Sequence, residues 1–418
     1  MKFSENMYFL SFSYNLPNNS TIIYDIFRHK YFTFFSLIYI ISNKNFIFIH
    51  VTVFLLWTIK KLYIFIKFIQ YYWGTLYNNS IYNINEVIFL KYNVAIVGAT
   101  GMVGREFLNI LSERNFPIDN LYLFSSARSA GSTITFNHKE IVVEELKLEN
   151  IANKKINIAL FSAGGDVSLK FAPIFAEHGA VVIDNSSAWR MDPNVPLVVP
   201  EVNSEDINWN KGIIANPNCS TIQAVVALKP LADKYGLKRI VYSTYQAVSG
   251  AGIQGYNDLK DGVNNVAPKK FQYPITFNVI PQIDVFLDNG YTKEEMKMIN
   301  ETHKILHNED VKVTATTVRV PVFHGHSESI NVELENSFEI NDIFHLFKNF
   351  KGITVMDDIS NNIYPMPIDI AGHDDVYIGR IRRDFSVDNG LNLWVVADNI
   401  RKGAALNAVQ IAEKLIKL

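Results

Sequence analysis

The chain holds one cysteine in 418 residues, Cys219, within Asn216-Pro-Asn-Cys-Ser-Thr221. Pro217 forces an extended approach on Asn216, and the run from Ile222 to Gly236 has helical apolar spacing closed by a glycine. Cys219 is therefore expected at or next to a helix N-terminus, where unpaired amides and the positive end of the helix dipole favour thiolate over thiol. Taken alone, a cysteine is more often a small buried core residue, so the surrounding residues decide. Gln246 and the turn Ser249-Gly250-Ala-Gly252 can supply amide donors without charge. Glu294 and Lys297 open a helix that runs through Leu306. Arg319 lies on a strand from Val313 to Val320, and His326 comes seven residues later within His324-Gly-His-Ser-Glu-Ser329. In an extended strand and turn, that separation can bring an arginine and a histidine to opposite ends of one small substrate.

The elements that must carry these groups begin at Tyr92. A short apolar strand to Val97 is followed by Gly98-Ala-Thr100-Gly101-Met102-Val103-Gly104 and a helical run from Arg105 to Arg114, the order of a dinucleotide-binding unit. Gly98 allows the tight turn, Gly101 lets the backbone approach a pyrophosphate at the helix N-terminus, and Gly104 allows the helix to pack closely on the strand. The strand Asn120 to Phe124 runs into Ser125-Ser126-Ala-Arg128-Ser129, hydroxyl-rich and basic where an NAD-selective fold places an acid. NADP is therefore expected over NAD. A further strand, Asn157 to Phe161, ends in Ser162-Ala163-Gly164-Gly165, a small-residue turn able to pass close to a cofactor. A helix from Val167 to Glu177 and a strand from Ala180 to Ile183 continue the alternation, which predicts a parallel doubly wound sheet. The next turn delivers Arg190 from a strand's C-terminal edge, the side on which ligands bind in such folds. A lone arginine there is more often structural.

Composition excludes several classes. A net charge of -2 with no Lys/Arg run argues against nucleic-acid binding. One cysteine makes no internal disulfide, and no Cys/His cluster has zinc spacing, so a reducing, cytoplasmic compartment and a metal-free core are expected. Residues 1–90 differ sharply from the rest, contributing nearly half the aromatic residues. Their apolar runs, Phe32 to Ile41, Phe46 to Ile59 and Leu62 to Trp73, each fall short of the ~20 residues needed to cross a bilayer. Three readings compete for this extension: a translated upstream region outside the working protein, a membrane anchor at Phe46 to Ile59 held by Lys60-Lys61, or an interfacial or partner-binding segment. Membrane contact is expected only if the extension belongs to the working protein.

From about Tyr92 to Leu418 the chain resembles the aspartate-semialdehyde dehydrogenase family. The glycine turn, Ser-Ala-Arg-Ser-Ala-Gly around Arg128, Asn-Pro-Asn-Cys-Ser-Thr, Gln246, Glu294 with Lys297, and Arg319 with His326 occur in that family's order. So does the C-terminal stretch from Leu393-Trp-Val-Val-Ala-Asp-Asn399 to Gln410, where the family's last helix returns to the nucleotide domain. The resemblance implies an α/β fold: a Rossmann-like doubly wound NADP-binding domain at 91–217 completed by about 398–418, and an α+β substrate and dimerisation domain at 218–397. It implies reductive dephosphorylation of L-4-aspartyl phosphate by NADPH through a Cys219 thioester, in a homodimer or homotetramer. His326 would be the acid/base. Arg319 would hold the substrate carboxylate and Glu294 its ammonium, with Arg190 and Lys297 left for phosphate and Asn218 and Gln246 orienting the substrate. Ser249, Gly250 and Asn399 would join the cofactor set. An N-acetyl-glutamyl-phosphate reductase uses the same logic, but its substrate has no ammonium for Glu294. A non-catalytic relative would not need Cys219, Gln246, Arg319 and His326 together.

Overall fold

The computed structural model describes residues 7–16, 20–29, 34–42, 45–53 and 90–417. The chain divides into two compact units, Met1–Phe89 and Leu90–Leu418. In the first, strands β1 (Met7–Leu16), β2 (Ser20–His29), β3 (Phe34–Ser42) and β4 (Asn45–Val53) pair antiparallel in sequence order. The candidate anchor at Phe46 to Ile59 falls partly on β4. Its remainder, Lys60-Lys61 and the run Leu62 to Trp73 lie outside the described residues. No helix among the described residues is long and apolar enough to cross a membrane.

The second unit contains two sheets. Strand β5 (Tyr92–Val97) is followed by helix α1 (Met102–Glu113), β6 (Ile118–Ser125), β7 (Thr133–Phe136), β8 (Lys139–Glu145), β9 (Ile158–Phe161), helix α2 (Gly165–Glu177), β10 (Val181–Asp184) and β11 (Ile213–Ala215). They form a seven-stranded sheet in the order β11-β10-β9-β5-β6-β8-β7, parallel except for β7 at its edge. Val94 to Val97 and Ile158 to Phe161 are buried throughout, as strands covered on both faces must be. After β5 the chain moves to one side of it through β6 and later returns to the other through β9. The crevice between β5 and β9 is therefore the topological switch point, where such sheets bind ligands.

Helix α3 (Cys219–Tyr235) leads into a six-stranded mixed sheet. Its strands are β12 (Leu237–Gln246), β13 (Lys312–Arg319), β14 (His326–Leu334), β15 (Ile353–Val355), β16 (Val376–Asp384) and β17 (Gly390–Ala397), ordered β13-β12-β14-β17-β16-β15. Helix α4 (Lys293–Leu306) precedes β13. Twelve residues of α3 are buried, from Ser220 to Tyr235 and around most of its circumference. A helix apolar on so many sides belongs inside the protein. One continuous core accordingly joins Val97, Phe161 and Val182 of the first sheet, Ile222 to Leu231 of α3, and Ile240, Ile330 and Leu393 of the second. The nucleophile's helix is thus held from both sheets. A π-helical turn, Arg401–Ala405, precedes the last helix, α5 (Leu406–Leu415). That helix packs with α1 on the first sheet's other face, where Val409 and Ile411 share one core with Phe107 and Leu111, as the resemblance implies.

Candidate active site

Cys219 is the first residue of α3 and lines a cleft of about 980 Å³. Asn218 caps the helix: its Oδ1 accepts from the Ser220 and Thr221 amides at 3.0 and 3.3 Å. Its Nδ2 donates to Glu294 at 2.8 Å, and its backbone amide donates to Glu301 at 2.6 Å. The thiolate expected at this helix end is not what the free protein holds. Burial first, and the Glu294 charge second, push the Cys219 thiol up to about 12. Arg319, Arg190 and the Ser220 amide pull it down and are outweighed, because desolvating an anion costs more than a helix end returns. The sulfur therefore needs a proton acceptor before it can attack. The π-turn closes over it from the other side: a Cβ on Gly403 would lie 2.9 Å from that of Cys219.

Helix α4 presents Glu294, Lys297, Glu301 and Lys304, spaced by three, four and three, on one face. It starts at a capping box of Thr292 with Glu295. Lys297 Nζ bridges Glu294 at 3.0 Å and Asp284 at 2.9 Å. Burial alone would raise the Glu294 pKa, but Lys297, Asn218 and Arg319 hold its carboxyl below the usual range. Arg190, one of the two cations that the resemblance assigns to phosphate, also lines the cleft and is already engaged by protein groups. Its guanidinium donates to Glu301 at 3.0 Å and to the carbonyls of Asn185 and Asn216 at 2.8 and 3.0 Å. Lys304 spans the carbonyls of Arg190, Asp192 and Val195. Glu301, Asp284 and Lys304 were not picked out from the sequence. The heptad step from Glu294 to Glu301 could have found one of them.

Three adjacent strand ends bring the remaining groups together. The register places Gln246 at the end of β12 beside Arg319 at the end of β13, and Tyr245 beside Ser327 of β14. Gln246 Nε2 reaches Glu294 at 3.4 Å, and Arg319 Nη1 donates to the Ala247 carbonyl at 2.7 Å. His326 begins β14, and it is fully buried. Its Nδ1 accepts from the Ala247 amide at 3.0 Å, so a neutral ring carries its proton on Nε2. Burial, and then the Arg319 charge, hold its pKa well below the ordinary histidine value. The glycine at 250 lets the turn close over both groups: a Cβ there would lie 3.0 Å from Arg319 Nη1 and 3.3 Å from His326 Nε2. His326 thus sits behind the cleft wall rather than at its surface, unlike Cys219, Gln246, Glu294 and Arg319.

The cleft continues to the glycine turn after β5, where Thr100, Gly101, Met102, Val103 and Ser162 line it. Gly98 has φ +87°, and a Cβ there would lie 2.3 Å from the Ser162 carbonyl oxygen, so the β5 and β9 turns meet only because that side chain is absent. A Cβ on Gly104 would lie 2.2 Å from the Gly98 carbonyl oxygen, which fixes how closely α1 packs on the turn. Thr100 and Ser125 share a hydrogen bond of 3.0 Å. Ser126 and Arg128 are exposed beyond the end of β6, Ser129 half-buried beside them, and Arg128 makes no ion pair among the described residues. Ala163 and Gly164 complete the turn before α2. Ser249 and Asn399 bond to each other at 3.0 Å on the opposite wall, and Asn399 Oδ1 also accepts from the Gly325 amide. The bare turn, the free N-terminus of α1 and the open crevice fit a dinucleotide.

The family model described as semialdehyde dehydrogenase, NAD binding domain, matches residues 93–209, and that described as semialdehyde dehydrogenase, dimerisation domain, matches residues 228–402. The chain is 59% identical over 337 residues to the aspartate-semialdehyde dehydrogenase of Aquifex aeolicus, covering 78% of this chain and 99% of that one. Among solved structures it resembles aspartate semialdehyde dehydrogenase II of Vibrio cholerae complexed with ASA, with a TM-score of 0.75, 48% identity, and coverage of 78% of this chain and 99% of that one. It also resembles the Candida albicans enzyme with NADP, with a TM-score of 0.64, 28% identity, and coverage of 78% and 99%.

Proposed function

The chain belongs to the aspartate-semialdehyde dehydrogenase family, and from that premise we propose how its own residues carry out the reductive dephosphorylation of L-4-aspartyl phosphate to L-aspartate 4-semialdehyde. Cys219 attacks the acyl carbon. The C–S bond forms, the bond to the phosphate oxygen breaks, and phosphate leaves with that electron pair and the thiol proton, giving a thioester. When bound, the nicotinamide cofactor supplies hydride to that carbon. The resulting oxyanion is stabilised by the Nε2–H of His326 as a hydrogen-bond donor; it then re-forms the carbonyl as the C–S bond breaks with its electron pair going to sulfur, the aldehyde leaves, and the thiolate takes a proton from water.

Arg319 is placed to pair with the substrate carboxylate and Glu294 with its ammonium. Gln246 and Asn218 fix the acyl group between them. Lys297 and Arg190 are the cations for phosphate, Arg190 acting from its clamp on Glu301. A substrate lacking the ammonium would leave the Glu294 carboxylate facing an apolar acyl group, which disfavours N-acetylated amino acids. The cofactor is a nicotinamide dinucleotide, and Arg128 with Ser125, Ser126 and Ser129 favours the 2′-phosphate form. The nucleotide-binding domain spans 91–217, completed by 398–418. Residues 218–397 form the catalytic domain, through which copies associate as a dimer or tetramer in the cytoplasm.

The observation that carries this reading is the convergence of Cys219, Gln246, Glu294 and Arg319 on one cleft with the bare glycine turn. The test is NADP reduction by aspartate semialdehyde with and without inorganic phosphate. Turnover should require phosphate and vanish in Cys219→Ala, whereas phosphate-independent turnover would sink the thioester route. Arg128→Ala should weaken NADP by about 10- to 150-fold and NAD far less. Equal losses would remove Arg128 from the phosphate site.

A further inference from the structure

We infer that Glu328 is a positioning residue that ties the first turn of the Cys219 helix to the strand carrying His326. The inference rests on the roles given above to those two residues. Glu328 has no exposed surface and lies two residues beyond His326 on β14, so both side chains leave the same face of the sheet. The side chains it faces are Ser220 and Gln223, one and four residues after Cys219. Gln223 Nε2 in turn reaches the His326 carbonyl at 3.4 Å. Helix and strand are thus linked directly by Gln223, with the Glu328 carboxyl enclosed beside that link.

No cation pairs with Glu328 among the described residues. The other titratable groups around it are Tyr242 of β12, whose hydroxyl is already bonded to Thr302, and His326 on its own strand. Burial without a counter-charge keeps the carboxyl protonated, its pKa well above the usual range despite Ser220 and Gln223. A protonated carboxyl has one O–H donor and one good acceptor. Gln223 Oε1, Ser220 Oγ and both Glu328 carboxyl oxygens are buried without a hydrogen-bond partner among the described residues, so these groups are left to one another. Stability gives no reason for an acid here, since replacing a buried polar cluster by apolar side chains of similar volume is often neutral or favourable. An acid at this place is explained by what it holds still.

The test uses the full chain with Glu328→Gln, which keeps a donor and an acceptor without ionising, and Glu328→Met, which keeps volume alone. The Gln variant should match the wild type in kcat and in its pH profile. The Met variant should keep its thermal midpoint and NADP affinity but lose about 10- to 100-fold in kcat with little change in KM, as small misplacements of reacting groups do. Its Cys219 should also react roughly tenfold faster with iodoacetamide at pH 8, as a loosened helix start lets the thiol pKa fall by about one unit. Should the Met variant not fold, Gln223→Leu breaks the same link from the helix side and should show the same kcat loss. A folded Met or Leu variant with wild-type kcat and alkylation overturns the inference, as does a Gln variant as impaired as Met. Alkylation needs no substrate, so it still reads Glu328 if the wild-type protein fails to turn over aspartate semialdehyde, a result that would sink the proposed activity instead.

Discussion

At the scale of single residues, a thiol with its pKa pushed up to about 12 leaves almost no thiolate in the free protein at neutral pH. Alkylation of Cys219 should therefore rise about tenfold per pH unit from pH 7 to beyond pH 10 without levelling. A plateau below pH 8 would show a standing thiolate. The same shift has a stability consequence whose sign is fixed. The unfolded chain releases this proton near ~8.5 and the folded chain only near 12. The stabilisation is complete below about pH 8.5 and is lost as pH rises toward 12, because the unfolded state binds fewer protons over that range. Cys219→Ala should flatten that part of a urea-unfolding profile while leaving NADP affinity nearly unchanged. The sequence made the helix N-terminus at Cys219 legible because Pro217 and the apolar spacing after it act locally. It did not reveal the Glu294 carboxylate near the sulfur, which is set by a helix 75 residues farther along the chain.

Among the elements, α4 shows why some roles could be read and others could not. Glu294 and Lys297 are one turn apart, and any helix there must put them together. Arg190 is different, because its clamp Glu301 lies 111 residues away in sequence and only the packing of α4 against the turn after β10 joins them. Arg190→Ala should leave that buried carboxylate without its counter-charge and cost about 3–5 kcal/mol, measured as a lowered urea midpoint, in addition to any loss of turnover. If stability stays within about 0.5 kcal/mol of the wild type, the clamp is not structural. The π-turn gave no signal in sequence, since Arg401-Lys-Gly-Ala-Ala405 reads as ordinary helix. Gly403 is where it matters: a methyl group 2.9 Å from the Cys219 Cβ must displace one of the two. Gly403→Ala should lower kcat by roughly 10- to 100-fold while NADP affinity holds. Wild-type kcat in that variant would mean that the turn yields freely.

Over the whole molecule, the division of the chain into Met1–Phe89 and Leu90–Leu418 bears on what the catalytic unit needs. The break in composition near residue 90 and the opening strand β5 were both legible in the sequence, since a run of Phe, Ile, Tyr and Asn gives way at once to a strand and a glycine turn. The structure places every residue given a chemical role beyond that break, and both cores that position them are built from residues after Tyr92. A chain beginning at Lys91 should therefore fold, remain in solution and turn over aspartate semialdehyde with the kcat of the full-length protein. Residues 1–90, rich in apolar runs, should instead promote membrane association or aggregation of the longer chain. Insolubility of the shorter chain, or loss of most of its turnover while the longer one behaves well, would show that the aromatic segment packs on the enzyme. Mass spectrometry of the protein from its native source separates the readings that survive: a first residue near Met1 fits an anchor or partner-binding segment, and one near residue 90 fits a translation start inside the sequence.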